Sequence, residues 1–229
     1  MKSIQKVGAL AALALGTSFI ALLGLLITIA GQGYVPGSGN NPARALDFAA
    51  RSPIPYMIYL LYALSAILIV LVVLALSDRW KDRAPLQMQL AMIAASTSSV
   101  LFLAYAMLGY VGEPTLISVY RQDASLGAAA YLAMRVVSNA LNSGAIFSAG
   151  WAILLAGWVA IHGTDFPKVL AALLLVSGGL SVLAFLIPIF SLLAPLLYIV
   201  WSIWLGVFLL RPVAPPSPVL SLSAFASEK

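Results

Sequence analysis

Cysteine is absent from the 229 residues, and histidine occurs once, at His162. The first absence removes disulfides, thiolate metal sites, iron–sulfur clusters and thiol redox chemistry. The second denies one chain a pair of imidazoles for a haem, or a His-rich metal site. Charge is also scarce. Charged residues make up 8% of the chain, against roughly a quarter in an ordinary soluble domain. Enzyme signatures are missing too: no HExxH metal helix, no GxSxG nucleophile and no GxxxxGK[ST] phosphate loop. Intramembrane proteolysis would need a Ser–His pair or two aspartates inside spans, and neither is expected. The reading is therefore a non-enzymatic protein with no cofactor, no metal and no catalytic residue. The formal charge of +5 has no basic cluster behind it, so nucleic acid is not an expected partner.

What the chain has instead is apolar surface. Hydrophobic residues reach 62% and the mean hydropathy is +1.05. Lipid is the solvent that accepts apolar residues outside as well as inside. A spanning helix needs about 20 such residues. The expected architecture is all-α, one polytopic domain over 1–211 with six transmembrane helices. The expected spans are about 7–30, 55–76, 88–110, 140–161, 169–187 and 195–210. The first run begins like a signal peptide, with Lys2 and Lys6, but is longer than the roughly 7–15 residues of a signal core, so a retained helix is expected. Pro188 and Pro195 are expected to divide the last apolar stretch, because proline removes a helix donor and clashes with the preceding turn. Residues 212–229, with Pro212, Pro215, Pro216 and Pro218, read as a disordered cytoplasmic tail.

Basic residues set the expected orientation. Lys2, Lys6, Arg79, Lys81, Arg83, Lys168, Arg211 and Lys229 fall on one side, and Arg44, Arg51 and Arg121 on the other. That bias puts both termini in the cytoplasm of a bacterial inner membrane. In the longest outer loop, Asn41-Pro42 reads as a helix cap followed by proline at the first helical position. A short surface helix over 43–51 would turn Leu46 and Ala50 to lipid.

Candidate chemistry concentrates in Ala130 to Gly144. Tyr131, Arg135, Ser138, Asn139 and Asn142 recur at spacings of three and four, on one helix face. Arg135, Asn139, Asn142 and Tyr131 form a candidate ligand or gating face, with Glu113 and Asp123 as candidate charge partners of Arg135. Counted from Ile161 at 1.5 Å per residue, Arg135 stands about 39 Å away, beyond a hydrocarbon core of about 30 Å. It belongs at the outer interface, and the stripe reads as a vestibule wall or the outer extension of a long helix. No carboxylate falls inside an expected span, Glu113 standing at the end of the third. Ser96 to Ser99, and the small ridge Gly8, Ala12 and Gly16, read as helix-packing features. His162 with Asp165 reads as a helix-end group in a short inner turn.

Several short motifs carry a resemblance. They are Lys6-Val7-Gly8-Ala9-Leu10, Val35-Pro36-Gly37, the run His162 to Leu170, and Val176-Ser177-Gly178-Gly179-Leu180. With the layout they resemble an uncharacterised bacterial family of six-helix membrane proteins, domain of unknown function 4386, over about residues 6–211. The outer loop here has Gly-Ser where that family often has Gly-Asp. The resemblance implies the six-span topology and no catalytic residues. Three functions remain open. The first is an accessory or sensor protein acting through helix contacts, with the lipid bilayer and a membrane-protein partner or homo-oligomer around it. The second is a small-solute transporter or channel using the Arg135 face. The third is a lipid-directed enzyme with Glu113 or Asp123 as base.

Overall fold

A computed structural model describes residues 3–32, 41–164, 166–187 and 190–211. The described residues form seven α-helices and no strand: α1 (Ser3–Gly31), α2 (Pro42–Arg51), α3 (Ile54–Trp80), α4 (Pro85–Gln122), α5 (Ala124–His162), α6 (Lys168–Leu183) and α7 (Phe190–Leu210). Five are long and apolar enough to cross a membrane: α1, α3, α4, α5 and the Leu193–Leu210 part of α7. The chain is a helical, multi-pass membrane protein. The expected tail and Pro188 lie outside the described residues.

Chain-order neighbours pack side by side, and α7 returns to α1. The long helices thus close a ring: α1, α3, α4, α5, α6, α7, and α1 again. One core joins all six at the end where α1 begins. It contains Ala12 and Leu15 of α1, Val72 and Trp80 of α3, Ala91 of α4, Ile153 of α5, Leu170 of α6 and Trp201 of α7. Lys6, Arg79 and Lys168 lie towards this end of their helices, and Lys81 and Arg83 in the turn between α3 and α4 there; it is called the basic end below. The opposite, far end has only small separate clusters.

Glycines bring the helix backbones of α5 and α6 into direct contact. A Cβ built on Gly178 of α6 would stand 2.5 Å from the Leu154 nitrogen and 2.7 Å from the Gly150 carbonyl oxygen of α5. Gly150 and Gly157 are hemmed in by α6 in the same way. Without side chains between them, the two backbones approach as small residues allow in lipid. The expected packing ridge of α1 behaves likewise: Gly8 meets Ala75 of α3, and Gly16 meets Ser202 and Ile203 of α7. Ser98 donates across the helices to the Ala145 carbonyl at 2.9 Å, and Thr97 bonds back to Ile93 at 3.0 Å.

Helix lengths are unequal, and this shapes the molecule. With 38 and 39 residues, α4 and α5 are each about 57 Å long, nearly twice the hydrocarbon thickness of about 30 Å. Their far ends continue as an antiparallel hairpin in which α4 and α5 shield each other and α2 packs on both. The helices therefore outrun the expected spans 88–110 and 140–161, because protein contact rather than lipid supports the extra turns. At the other extreme, α6 has 16 residues, about 24 Å. The turn after it closes its own donors: Ala184 bonds Leu180, Phe185 bonds Val182, and Leu186 and Ile187 bond Leu183. Satisfied donors are what non-helical backbone needs at membrane depth. Pro195 does not divide two spans. It lies inside α7, which starts at Phe190, and membrane helices tolerate such prolines when neighbours compensate.

The α4–α5 connection is one residue, Asp123. Its Oδ1 accepts from the Ser125 and Leu126 amides at 2.9 and 3.1 Å and from the Ser125 hydroxyl at 2.8 Å. The Leu126 amide first, then the Ser125 hydroxyl and amide, hold this carboxyl below the usual carboxylate range. A depressed folded-state pKa contributes stability above the unfolded value, and that contribution is lost as pH falls through the folded one. Asp123→Ala should therefore speed proteolysis at the hairpin tip at neutral pH. The difference from wild type should shrink on acidification below the ordinary carboxylate range. A pH-independent difference would show that the cap is not the cause.

Candidate functional site

The far end brings together residues distant in sequence. Glu113 stands in α4, nine-tenths buried, with α4 running on to Gln122. Tyr59 of α3 donates its hydroxyl to Glu113 Oε1 at 2.7 Å. The other carboxyl oxygen, Oε2, is buried without a hydrogen-bond partner. Gly109, one turn earlier on α4, makes room for the Tyr59 ring, because a Cβ there would collide with it. Pro114 follows Glu113 inside the helix and withholds the amide that the Tyr110 carbonyl would otherwise bond.

From Glu113 an aromatic ladder descends towards the middle of the bundle. The Tyr59 and Tyr105 rings meet edge to face at 5.7 Å, Tyr105 meets Tyr62 at 5.0 Å, and Tyr62 stacks on Phe102 at 5.6 Å. Above it, Tyr56 and Tyr110 pack edge to face at 5.9 Å. These contacts hold α3 against α4 and leave hydroxyls along an otherwise apolar seam.

The expected stripe on α5 divides. Tyr131 is buried against Ala45 and Leu46 of α2, with Leu116, Ile117 and Tyr120 of α4 beside them. Arg135 and Asn142 are half-buried, and Asn139 is exposed. The Oδ1 of Asn142 is buried without a hydrogen-bond partner, as Glu113 Oε2 is. Of the two expected charge partners of Arg135, Asp123 is the α5 cap and Glu113 is held by Tyr59. Leu46 does not face lipid: it is 1% exposed, because α2 lies on the α4–α5 hairpin and buries it there. Ala50 points outward.

The start of α2 follows its sequence. Asn41 Oδ1 accepts from the Arg44 amide at 3.1 Å, with Pro42 in first position. Its last turn carries Arg51, paired with Asp47 at 2.8 Å. Two open grooves flank this turn, of about 580 and 370 Å³. Arg51, Ser52 and Pro53 line both; Arg44 and Gln32 line the larger, and Tyr56, Pro114 and Arg121 the smaller. Compared with protein-family models, curated proteins and solved structures, the chain finds no match. Chemistry therefore rests on the geometry. Among the described residues, no group of three or more His, Cys, Asp or Glu side chains is placed to hold a metal ion. What the far half offers is hydrogen-bonding recognition: buried acceptor oxygens on Glu113 and Asn142, and arginines in the two grooves beside α2.

Tyr59 and Gly109 were not among the sequence-derived candidates. Tyr59 and Glu113 are 54 residues apart, so only the packing register of α3 on α4 joins them. The available signal was weak: a glycine four residues before the acid, and tyrosines near the outer end of the second span.

Proposed function

We propose that this chain is a six-span protein of the bacterial cytoplasmic membrane that acts as a non-enzymatic accessory or sensor protein. Both termini lie in the cytoplasm, and the far end faces outward. The ring order supports the six spans, with α6 as the short fifth. The bias of Lys and Arg towards the basic end supports the orientation. The same reading includes the resemblance to the uncharacterised six-helix family.

The observation that carries the sensor reading is the core at the basic end, which joins all six long helices with apolar side chains. The polar groups of the far half stand above this core, which fills the ring beneath them. A small ligand can be read there without a path through the bundle, and the response travels as a shift between packed helices. Purification in mild detergent tests this. A bound membrane protein or a second copy should accompany the chain, as measured by light scattering and mass spectrometry. A lone monomer in every mild detergent overturns the reading.

A second reading, a small-solute transporter or channel with its outer vestibule on α5, is favoured by the unpartnered Asn142 Oδ1, about two turns along the same helix from half-buried Arg135. Proteoliposomes should then accumulate a small anion, and Arg135→Ala should reduce the rate about tenfold or more, the loss of one charge-assisted hydrogen bond. Equal uptake by empty and loaded liposomes removes it.

A further inference from the structure

The basic end holds a further polar pocket that the proposed function does not use. It measures about 380 Å³ and opens between the ends of α3, α4 and α5. Its wall includes Trp80, Arg83, Gln87, Trp158, His162 and Thr164. These side chains can donate, and among the described residues no carboxylate lines the wall; Asp165 lies outside the described residues. Trp80 is 1% exposed, and its indole Nε1 is buried without a hydrogen-bond partner. A buried N–H without an acceptor is destabilising, and Trp80 belongs to the wall of this pocket, so an acceptor held there is favoured.

Two further features favour a negatively charged acceptor. First, α4 starts here with no side-chain cap: Ala84 stands at the capping position and Pro85 follows. The first-turn amides of a long helix have no intrahelical partner and attract anions. Second, the opposing helix end is covered. Lys168 donates its ammonium to the carbonyls of Ile161 and Gly163, so the negative end of α5 does not repel an anion.

We propose that this pocket binds the phosphate of an anionic phospholipid. Lipid is favoured over a free phosphate by Trp158, which is 54% exposed on the membrane-facing side of α5 and lines the same pocket. Tryptophan takes this interfacial place, and basic pockets between membrane helices hold lipid headgroups. Arg83 supplies the charge, Trp80 and the α4 amides supply neutral donors, and the acyl chains run past Trp158. The site is independent of the far-end reading.

The test uses the full chain in mild detergent, titrated with phosphatidylglycerol and with phosphatidylcholine, the lipid-bound fraction being read by native mass spectrometry. Phosphatidylglycerol should bind saturably and phosphatidylcholine should not. Arg83→Gln should weaken phosphatidylglycerol binding by about tenfold, the loss of one charge-assisted contact. Trp80→Phe keeps the ring packing on Phe166 and should weaken it by about threefold, the loss of one neutral donor. If Trp80→Phe fails to fold, Arg83→Gln decides alone, because Arg83 is exposed and outside the core. Equal retention of the two lipids, or unchanged binding by Arg83→Gln, overturns the site. Inorganic phosphate that shifts tryptophan emission and displaces phosphatidylglycerol at millimolar concentration overturns the lipid assignment.

Discussion

Gly178→Leu should abolish the folded protein, while Gly24→Leu should leave it intact. The difference lies in what each new side chain meets. At Gly178 even a methyl group would overlap the Leu154 nitrogen at 2.5 Å and the Gly150 oxygen at 2.7 Å. Both are backbone atoms of a helix and cannot rotate away. The two helices must separate, and the ring opens where α6 joins it. At Gly24 nothing lies within 4 Å. Overpacking a well-filled site costs about 1–3 kcal/mol, and occasionally more. Gly178→Ala should therefore fold with a Tm lower by on the order of 5 °C. The leucine adds three more carbons to the same overlap and exceeds what a marginally stable protein tolerates. Size-exclusion chromatography of detergent extracts reads the result: a single peak for Gly24→Leu, a single but heat-sensitive peak for Gly178→Ala, and aggregate or no protein for Gly178→Leu. A normal peak and Tm for Gly178→Leu would mean that α5 and α6 are not in backbone contact. The effect is large because α6 is short. At about 24 Å it under-spans a core of about 30 Å, so its place depends on packing more than on insertion.

Much of this architecture is legible in the residues, and its limits have physical causes. Hydropathy reports contact with lipid, so it finds the apolar runs. It is blind to turns supported by protein. The far halves of α4 and α5, from Val111 to Gln122 and from Ala124 to Asn139, stay helical because they pack on each other and on α2. Leu46 was misread for the same reason: an amphipathic helix beside a membrane has two apolar surfaces to choose from, and here the hairpin covers it. Pro195 was misread because a proline predicts a break only where its neighbours fail to compensate. The candidate site was half legible. Periodicity gathers Tyr131, Arg135 and Asn142 on one face of α5. The partner of Glu113 depends on register between helices 54 residues apart in sequence, which no local pattern encodes.

That partner gives the second large effect. Tyr59→Phe leaves Glu113 without the hydroxyl that Oε1 accepts, in a carboxyl whose Oε2 already has no partner. Stranding a buried polar group costs about 1–3 kcal/mol, more when it is charged. Glu113→Met strands the other party, the Tyr59 hydroxyl, and should cost about 1 kcal/mol. The double variant should be more stable than Tyr59→Phe alone, since replacing both partners by apolar groups leaves nothing unsatisfied. The expected coupling is about 1–2 kcal/mol, well above the few tenths found between independent sites. Gly109→Ala should imitate Tyr59→Phe, because the added methyl displaces the ring that carries the hydroxyl. In a Tyr59→Ala background it should cost little more, the ring being gone. Thermal unfolding of the six variants in one detergent measures all of this. Simple additivity of Tyr59→Phe and Glu113→Met would mean that the hydroxyl and the carboxyl do not share a hydrogen bond. The far-end site would then lose the contact that holds its one buried acid in place.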